Sequence, residues 1–151
     1  MKLKFCSLYS GSSGNCQYIK TENATIIVDA GLSGKRIQQE ISNIGEDPKK
    51  IDAIFITHEH IDHIQGAGIM SRRLNIPIYA NKKTWEAMNP YIGDIKPHNI
   101  KLLEDSTQIG DLAIKSFDIS HDSAHPVGYN IFYRNKKISI VTDTGCVNET
   151  I

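Results

Sequence analysis

The chain has 151 residues, 40% of them hydrophobic, and a formal net charge of zero from 17 basic and 17 acidic side chains. That length suits one domain with its own core, and the balanced charge excludes a bulk electrostatic footprint for nonspecific nucleic-acid binding. No apolar run reaches the roughly 20 residues that span a bilayer, Met1-Lys2-Leu3-Lys4 lacks a signal-peptide core, and Cys6, Cys16 and Cys146 lack Cys-x-x-Cys spacing, so the expectation is a cytoplasmic protein with no membrane partner, no disulfide framework and cysteines that act as small buried apolar residues.

Leu3 and Phe5 alternate with Lys2, Lys4 and Cys6, which predicts a first strand over 2–9. Ser10-Gly11-Ser12-Ser13-Gly14-Asn15 then breaks it. Such a stretch is either a tight turn or a cluster of N–H groups and hydroxyls able to hold an anion, which makes Ser10, Ser12, Ser13 and Asn15 candidates for binding a phosphate. Residues 16–21 and 25–28 read as a hairpin closed by Glu22-Asn23-Ala24. Asp29 ends the second of these strands, where an unpaired buried charge is costly. It either orients a metal-ligating imidazole from behind or caps the helix that follows. Ile37, Ile41 and Ile44 predict that helix over 34–44, with Gly45 as its stop.

Asp47-Pro48 turns the chain into the run Asp52-Ala53-Ile54-Phe55-Ile56, a buried-strand pattern, and Thr57-His58-Glu59-His60-Ile61-Asp62-His63 follows directly. If the backbone stays extended past the strand end, His58 and His60 point the same way and one metal ion can take both rings. Ile64, Ala67, Met70 and Leu74 recur at helical spacing, which puts Asp62 and His63 in the first turn or cap of a helix, facing a second point beside the first. Zinc with nitrogen and oxygen ligands wants about four donors, so the remainder must come from farther along the chain.

A strand over 76–80 and a helix over 82–88 come next, then a Pro- and Gly-containing loop over 89–98 in which His98 belongs to the surface. Strands are predicted at 100–103, 107–109 and 112–117, and the alternation of strands with helices points to an α/β layered fold. His121, at the mouth of a β-rich run, is the third ligand for the first ion, with His125 in the same loop as its competitor. Residues 137–141 form another buried strand that delivers Asp143, a position that also suits a simple turn former.

His58-x-His60-x-Asp62-His63 resembles the metal signature of the metallo-β-lactamase fold superfamily. Four stretches are similar to its YycJ/WalJ branch: Ser7-Leu8-Tyr9-Ser10-Gly11-Ser12-Ser13-Gly14-Asn15, Ile27-Val28-Asp29-Ala30-Gly31-Leu32-Ser33-Gly34, Ser120-His121-Asp122 ahead of Pro126-Val127-Gly128-Tyr129, and Val141-Thr142-Asp143-Thr144-Gly145. The resemblance spans the whole chain. It implies an αββα sandwich of which residues 1–151 form a single domain lacking its C-terminal part, the N-terminal half to two-thirds, because superfamily members run on and supply a last histidine to the second metal.

The resemblance further implies two divalent metal ions, with His58, His60 and His121 on the first, Asp62 and His63 on the second, and Asp143 bridging them. The mixed His and Asp donor set suits zinc, manganese or iron more than magnesium. The implied function is that of a metal-dependent hydrolase: a phosphodiesterase acting on DNA as a 5′-to-3′ exonuclease, with a dinuclear metal-activated hydroxide held by Asp62 as the catalytic residue. Two other readings stay open. One is a thioester or lactone hydrolase on the same metals, since fold and ligands do not fix the substrate; the other is an inactive metal-binding fragment. A half sandwich would also leave an apolar sheet face and an edge uncovered, which favours self-association or poor solubility; without the last ligand, the chain is expected to hold the second metal less tightly and to turn over little.

Overall fold

Short β-branched runs and Ile-spaced runs follow one another here as strands and helices. The computed structural model describes residues 3–11, 14–119, 124–141 and 146–150, the last of these as backbone only. In chain order the elements are β1 (Lys4–Tyr9), β2 (Cys16–Lys20), β3 (Thr25–Val28), α1 (Gly34–Asn43), β4 (Ala53–Phe55), α2 (Ile61–Ile64), α3 (Ala67–Leu74), β5 (Ile78–Ala80), α4 (Lys82–Ile92), β6 (Ile100–Leu102), β7 (Thr107–Ile109), β8 (Leu112–Asp118), β9 (Val127–Tyr133), β10 (Lys136–Val141) and β11 (Cys146–Thr150).

The first six strands form one sheet in the order β1-β2-β3-β4-β5-β6, and the last five form a second, β11-β10-β9-β8-β7. Strands β3 to β6 run parallel, joined through the helices, whereas the second sheet is antiparallel throughout. The central strands β3 and β4 are covered on both faces, which is why they read as unbroken apolar runs. On one face Ile27 and Ile54 meet Ile37 and Ile41 of α1, Met70 of α3, and Trp85 and Met88 of α4. On the other, Ile26, Val28 and Phe55 meet Ile114, Tyr129, Ile131 and Ile140 of the second sheet. Helices, sheet and sheet thus make three layers.

The far face of the second sheet is mixed rather than uniformly apolar. The cross-strand row Lys115, Asn130 and Ser139 crosses it, with half-buried Phe117 and Phe132 between.

Two helices depart from the periodic pattern. The helix expected from Asp62 onward is split between α2 and α3, because Gly66 passes so close to the chain after β3 that a methyl group there would lie 2.4 Å from the Leu32 carbonyl oxygen. Its own N–H donates to the Ala30 carbonyl at 2.7 Å. In the other case α4 runs past Pro90 to Ile92 instead of ending at Met88. Met88 and Ile92 are four apart and both buried, so the apolar stripe carries the last turn through the missing N–H.

Cys16 is buried and Cys6 half-buried, both as free thiols. Burial, with the Asp29 charge nearby, pushes the Cys16 thiol far above its usual range, so it stays protonated. No helix among the described residues is long and apolar enough to cross a membrane.

Candidate metal centre

Parallel neighbours β3 and β4 end side by side, Val28 opposite Phe55, and this places Asp29 next to Thr57 and His58. Asp29 is fully buried with φ +65°, a left-handed conformation that Asp tolerates better than most residues. Its N–H donates to the Phe55 carbonyl at 2.7 Å. Its carboxylate accepts from the Thr57 N–H at 2.8 Å and from the Thr57 hydroxyl at 2.7 Å, and lies 2.6 Å from Nδ1 of His63. Ser33, not Asp29, caps α1, accepting from the Arg36 N–H.

These contacts set the tautomers. A carboxylate that takes the Nδ1–H of His63 leaves Nε2 of that ring with its lone pair. Thr57 gives its hydroxyl proton to Asp29, so its oxygen accepts from Nδ1 of His58 at 3.0 Å, and Nε2 of His58 is left basic in the same way. One buried carboxylate therefore orients two imidazoles, one of them through a hydroxyl.

The rings gather closely. His58 and His63 have centroids 4.0 Å apart, and His58 and His60 4.6 Å apart. His58 and His63 are buried, whereas His60 is exposed and starts α2 with an extended backbone, as alternation past the strand end requires. Half-buried Asp62 sits in the first turn of α2, its Oδ2 3.6 Å from Nε2 of His63.

Two further residues fix this turn. The buried amide of Asn15 donates to the carbonyls of Gly11 (3.0 Å) and Asp62 (3.2 Å), and lies 3.4 Å from Asp62 Oδ2 and 3.2 Å from His63 Nε2. Beneath, a methyl group on Gly31 would sit 1.8 Å from the Asp62 carbonyl oxygen. Only glycine permits that approach.

The second sheet is tied to the same place. Val127 N–H donates to the Thr57 carbonyl at 2.9 Å, and the Tyr129 hydroxyl to the Ile56 carbonyl at 2.5 Å. Burial, reinforced by the Asp29 charge, raises the Tyr129 hydroxyl well above the ordinary tyrosine range, so it remains a donor. The loop between β8 and β9 is anchored on both flanks of its undescribed centre. Ile119 N–H donates to the Pro126 carbonyl (3.0 Å), Ala124 N–H to a Glu59 carboxylate oxygen (3.0 Å), and the Asn81 amide to the His125 carbonyl (2.8 Å).

Of the expected site residues, His58, His60, Asp62, His63, Asp29 and Asn15 come together. Ser10 is exposed at the rim of its loop, and Ser12, Ser13, His121 and Asp143 lie outside the described residues. The ring of His125 pairs instead with exposed Asp118 at 2.8 Å, and His98 is a surface residue bonded to Asn75 at 3.0 Å. Among the described residues no group of three or more His, Cys, Asp or Glu side chains stands ready to enclose a cation. Thr57, Gly31 and Glu59 carry contacts that sequence reasoning did not assign. Their only signal was position, each within two residues of a candidate ligand or its carboxylate partner.

A family model described as the metallo-beta-lactamase superfamily matches residues 9–151. The chain belongs to that superfamily. It is 41% identical to exodeoxyribonuclease YycJ of Bacillus anthracis over 99% of this chain and 57% of that protein, and 41% identical to exodeoxyribonuclease WalJ of Streptococcus pneumoniae over 97% and 56%. The chain thus spans little more than half the length of these relatives. A class B3 di-zinc metallo-beta-lactamase from an Alaskan soil metagenome shares the fold with a TM-score of 0.69 at 16% identity, over 84% of this chain and 56% of that one.

Proposed function

We propose that this chain is part of a metal-dependent phosphodiesterase that degrades DNA from an end, 5′ to 3′, with two divalent metal ions of zinc or manganese type. The observation that carries the reading is the 41% identity, across nearly the whole chain, to proteins named exodeoxyribonuclease. The donor chemistry of the turn after β4 fits such ions: two buried imidazoles present unprotonated Nε2 atoms, beside a third ring and a carboxylate. His58, His60 and His121 would hold one ion, Asp62 and His63 the other, with Asp143 between them. When bound, such a pair supplies an activated water and neutralises charge on the phosphoryl oxygens.

The chain's own residues do the rest. Asp29 and Thr57 keep the two rings in one tautomer and one orientation, so that no reorganisation is needed when a ligand arrives. Asp62, half-buried and partly open to solvent, would accept a hydrogen bond from the attacking water and so help to hold it. Asn15 and Gly31 hold the Asp62 backbone in register with His63.

The complete protein, loaded with zinc or manganese, should release nucleotides from 5′-phosphorylated DNA and leave a panel of thioesters and lactones intact, with His60→Ala and Asp62→Ala abolishing turnover while the far-UV spectrum is kept. Hydrolysis of the esters with DNA untouched, or undiminished DNA cleavage by either variant, would end the assignment.

A further inference from the structure

Beside the histidine turn lies a cavity of about 310 Å³ lined by Glu59, His60, Ile61, Ile64 and Tyr91. Two of its walls are large apolar side chains left in solvent, Tyr91 at 71% and Ile61 at 59% exposure. Ile61 directly follows His60, so this apolar wall belongs to the rim of the candidate metal centre.

Tyr91 belongs to the last turn of α4, and that helix end is held from several sides. Arg72 of α3 donates through Nη1 to the Ile92 carbonyl at 2.7 Å and the Asp94 carbonyl at 3.0 Å. Gly68 lets α3 approach until a methyl group there would lie 2.0 Å from the Ile92 carbonyl oxygen, and Gly93 leaves the helix at φ +78°. Met88 and Ile92 supply the buried stripe, so the core makes no use of the Tyr91 ring. An exposed aromatic on a pinned backbone is a preorganised platform, because little conformational entropy is lost when something flat lands on it.

We propose that this cavity receives an unpaired nucleobase next to the scissile phosphate, stacked on Tyr91, with Ile61 and Ile64 bounding the slot. The proposal rests on the nuclease reading above and adds a subsite to it. The volume is enough for one heterocycle. Stacking on an aromatic face is also tolerant of sequence, as degradation from an end requires.

The test is a binding titration of the metal-loaded complete protein with 5′-phosphorylated single strands that carry 2-aminopurine, or an abasic residue, beside the cleaved linkage. Wild type and Tyr91→Phe should quench the 2-aminopurine. Tyr91→Ala should lose the quench and bind about tenfold more weakly, and the abasic strand should lose the same factor on wild type and nothing further on Tyr91→Ala. Metal content should not move and melting temperature should change little, since the ring is 71% exposed. If Tyr91→Ala and the abasic strand bind as wild type does while DNA is still cleaved, the subsite is wrong and the nuclease reading stands. Failure of the wild type to bind or cleave any strand removes both. A change of oligomeric state in Tyr91→Ala would make the patch a contact between copies and would also overturn the subsite.

Discussion

Two aspartate–histidine contacts among the described residues lie in opposite surroundings. Asp29 and His63 meet at 2.6 Å with side chains 0% and 5% exposed; Asp118 and His125 meet at 2.8 Å with side chains 82% and 41% exposed. Contact distance does not separate them, and burial does. At the first pair both partners are buried, so the carboxylate is held by three hydrogen bonds, two from Thr57 and one from His63, and the ring is fixed in tautomer and angle. At the second, water competes for both groups. An aspartate beside a histidine therefore orients a ligand only where the rest of its hydrogen bonds are also built by the protein.

Asp29→Asn attacks the buried pair most directly. An amide in that position must turn an N–H toward a donor, leaving either Thr57 or His63 without an acceptor. We expect a loss of about 2–3 kcal/mol in urea unfolding and zinc affinity weakened about 10–100-fold. Calorimetric titration returning the wild-type zinc affinity would show that the two pairs do not differ in kind.

Gly31→Ala probes the cage from below. The new methyl group would lie 1.8 Å from the Asp62 carbonyl oxygen, so either the turn after β3 or the first turn of α2 must shift. The expected cost is about 1–3 kcal/mol, with metal affinity falling because Asp62 and His63 lose register. A variant with unchanged stability and unchanged metal binding would mean that this turn is soft. Asn15→Ala is milder. It removes the donor to the Asp62 carbonyl at a cost of about 1 kcal/mol, and it should weaken zinc binding while leaving the two-sheet core intact, which the stability of a metal-free sample would show.

Much of this was legible in the residues. Strand and helix positions follow from where β-branched runs and Ile spacing fall, and the convergence of His58, His60 and Asp62-His63 follows from an extended strand end that meets a helix start. What sequence could not show is which candidate touches which. The stretch Ser10–Asn15 reads as either a tight turn or an anion cradle from its composition; that the Asn15 amide also reaches Asp62 and His63, across a separation of 47 and 48 residues, carries no local signal. Asp29 has two candidate roles, and the cap goes to Ser33, the residue directly before α1, whose hydroxyl accepts from the Arg36 N–H. Tyr91 fell in a stretch expected to be loop, because Pro90 outweighed the burial of Ile92 in a local reading.

The smallest effect carries the sharpest discrimination. His125 competes on paper with His121 for the third position on the first ion, because both lie in the loop between β8 and β9. In the structure its ring is spent on exposed Asp118, and its backbone carbonyl, which a substitution would keep, is what the Asn81 amide holds. His125→Ala should therefore cost less than about 0.5 kcal/mol, as for other exposed ion pairs, and leave zinc stoichiometry and affinity unchanged. His121→Ala in parallel should remove tight binding at one position. If His125→Ala instead strips the metal while His121→Ala keeps it, the loop delivers the other histidine, the Asp118 contact is one that metal binding displaces, and exposure ceases to be a guide to which of the two carboxylate pairs does the orienting.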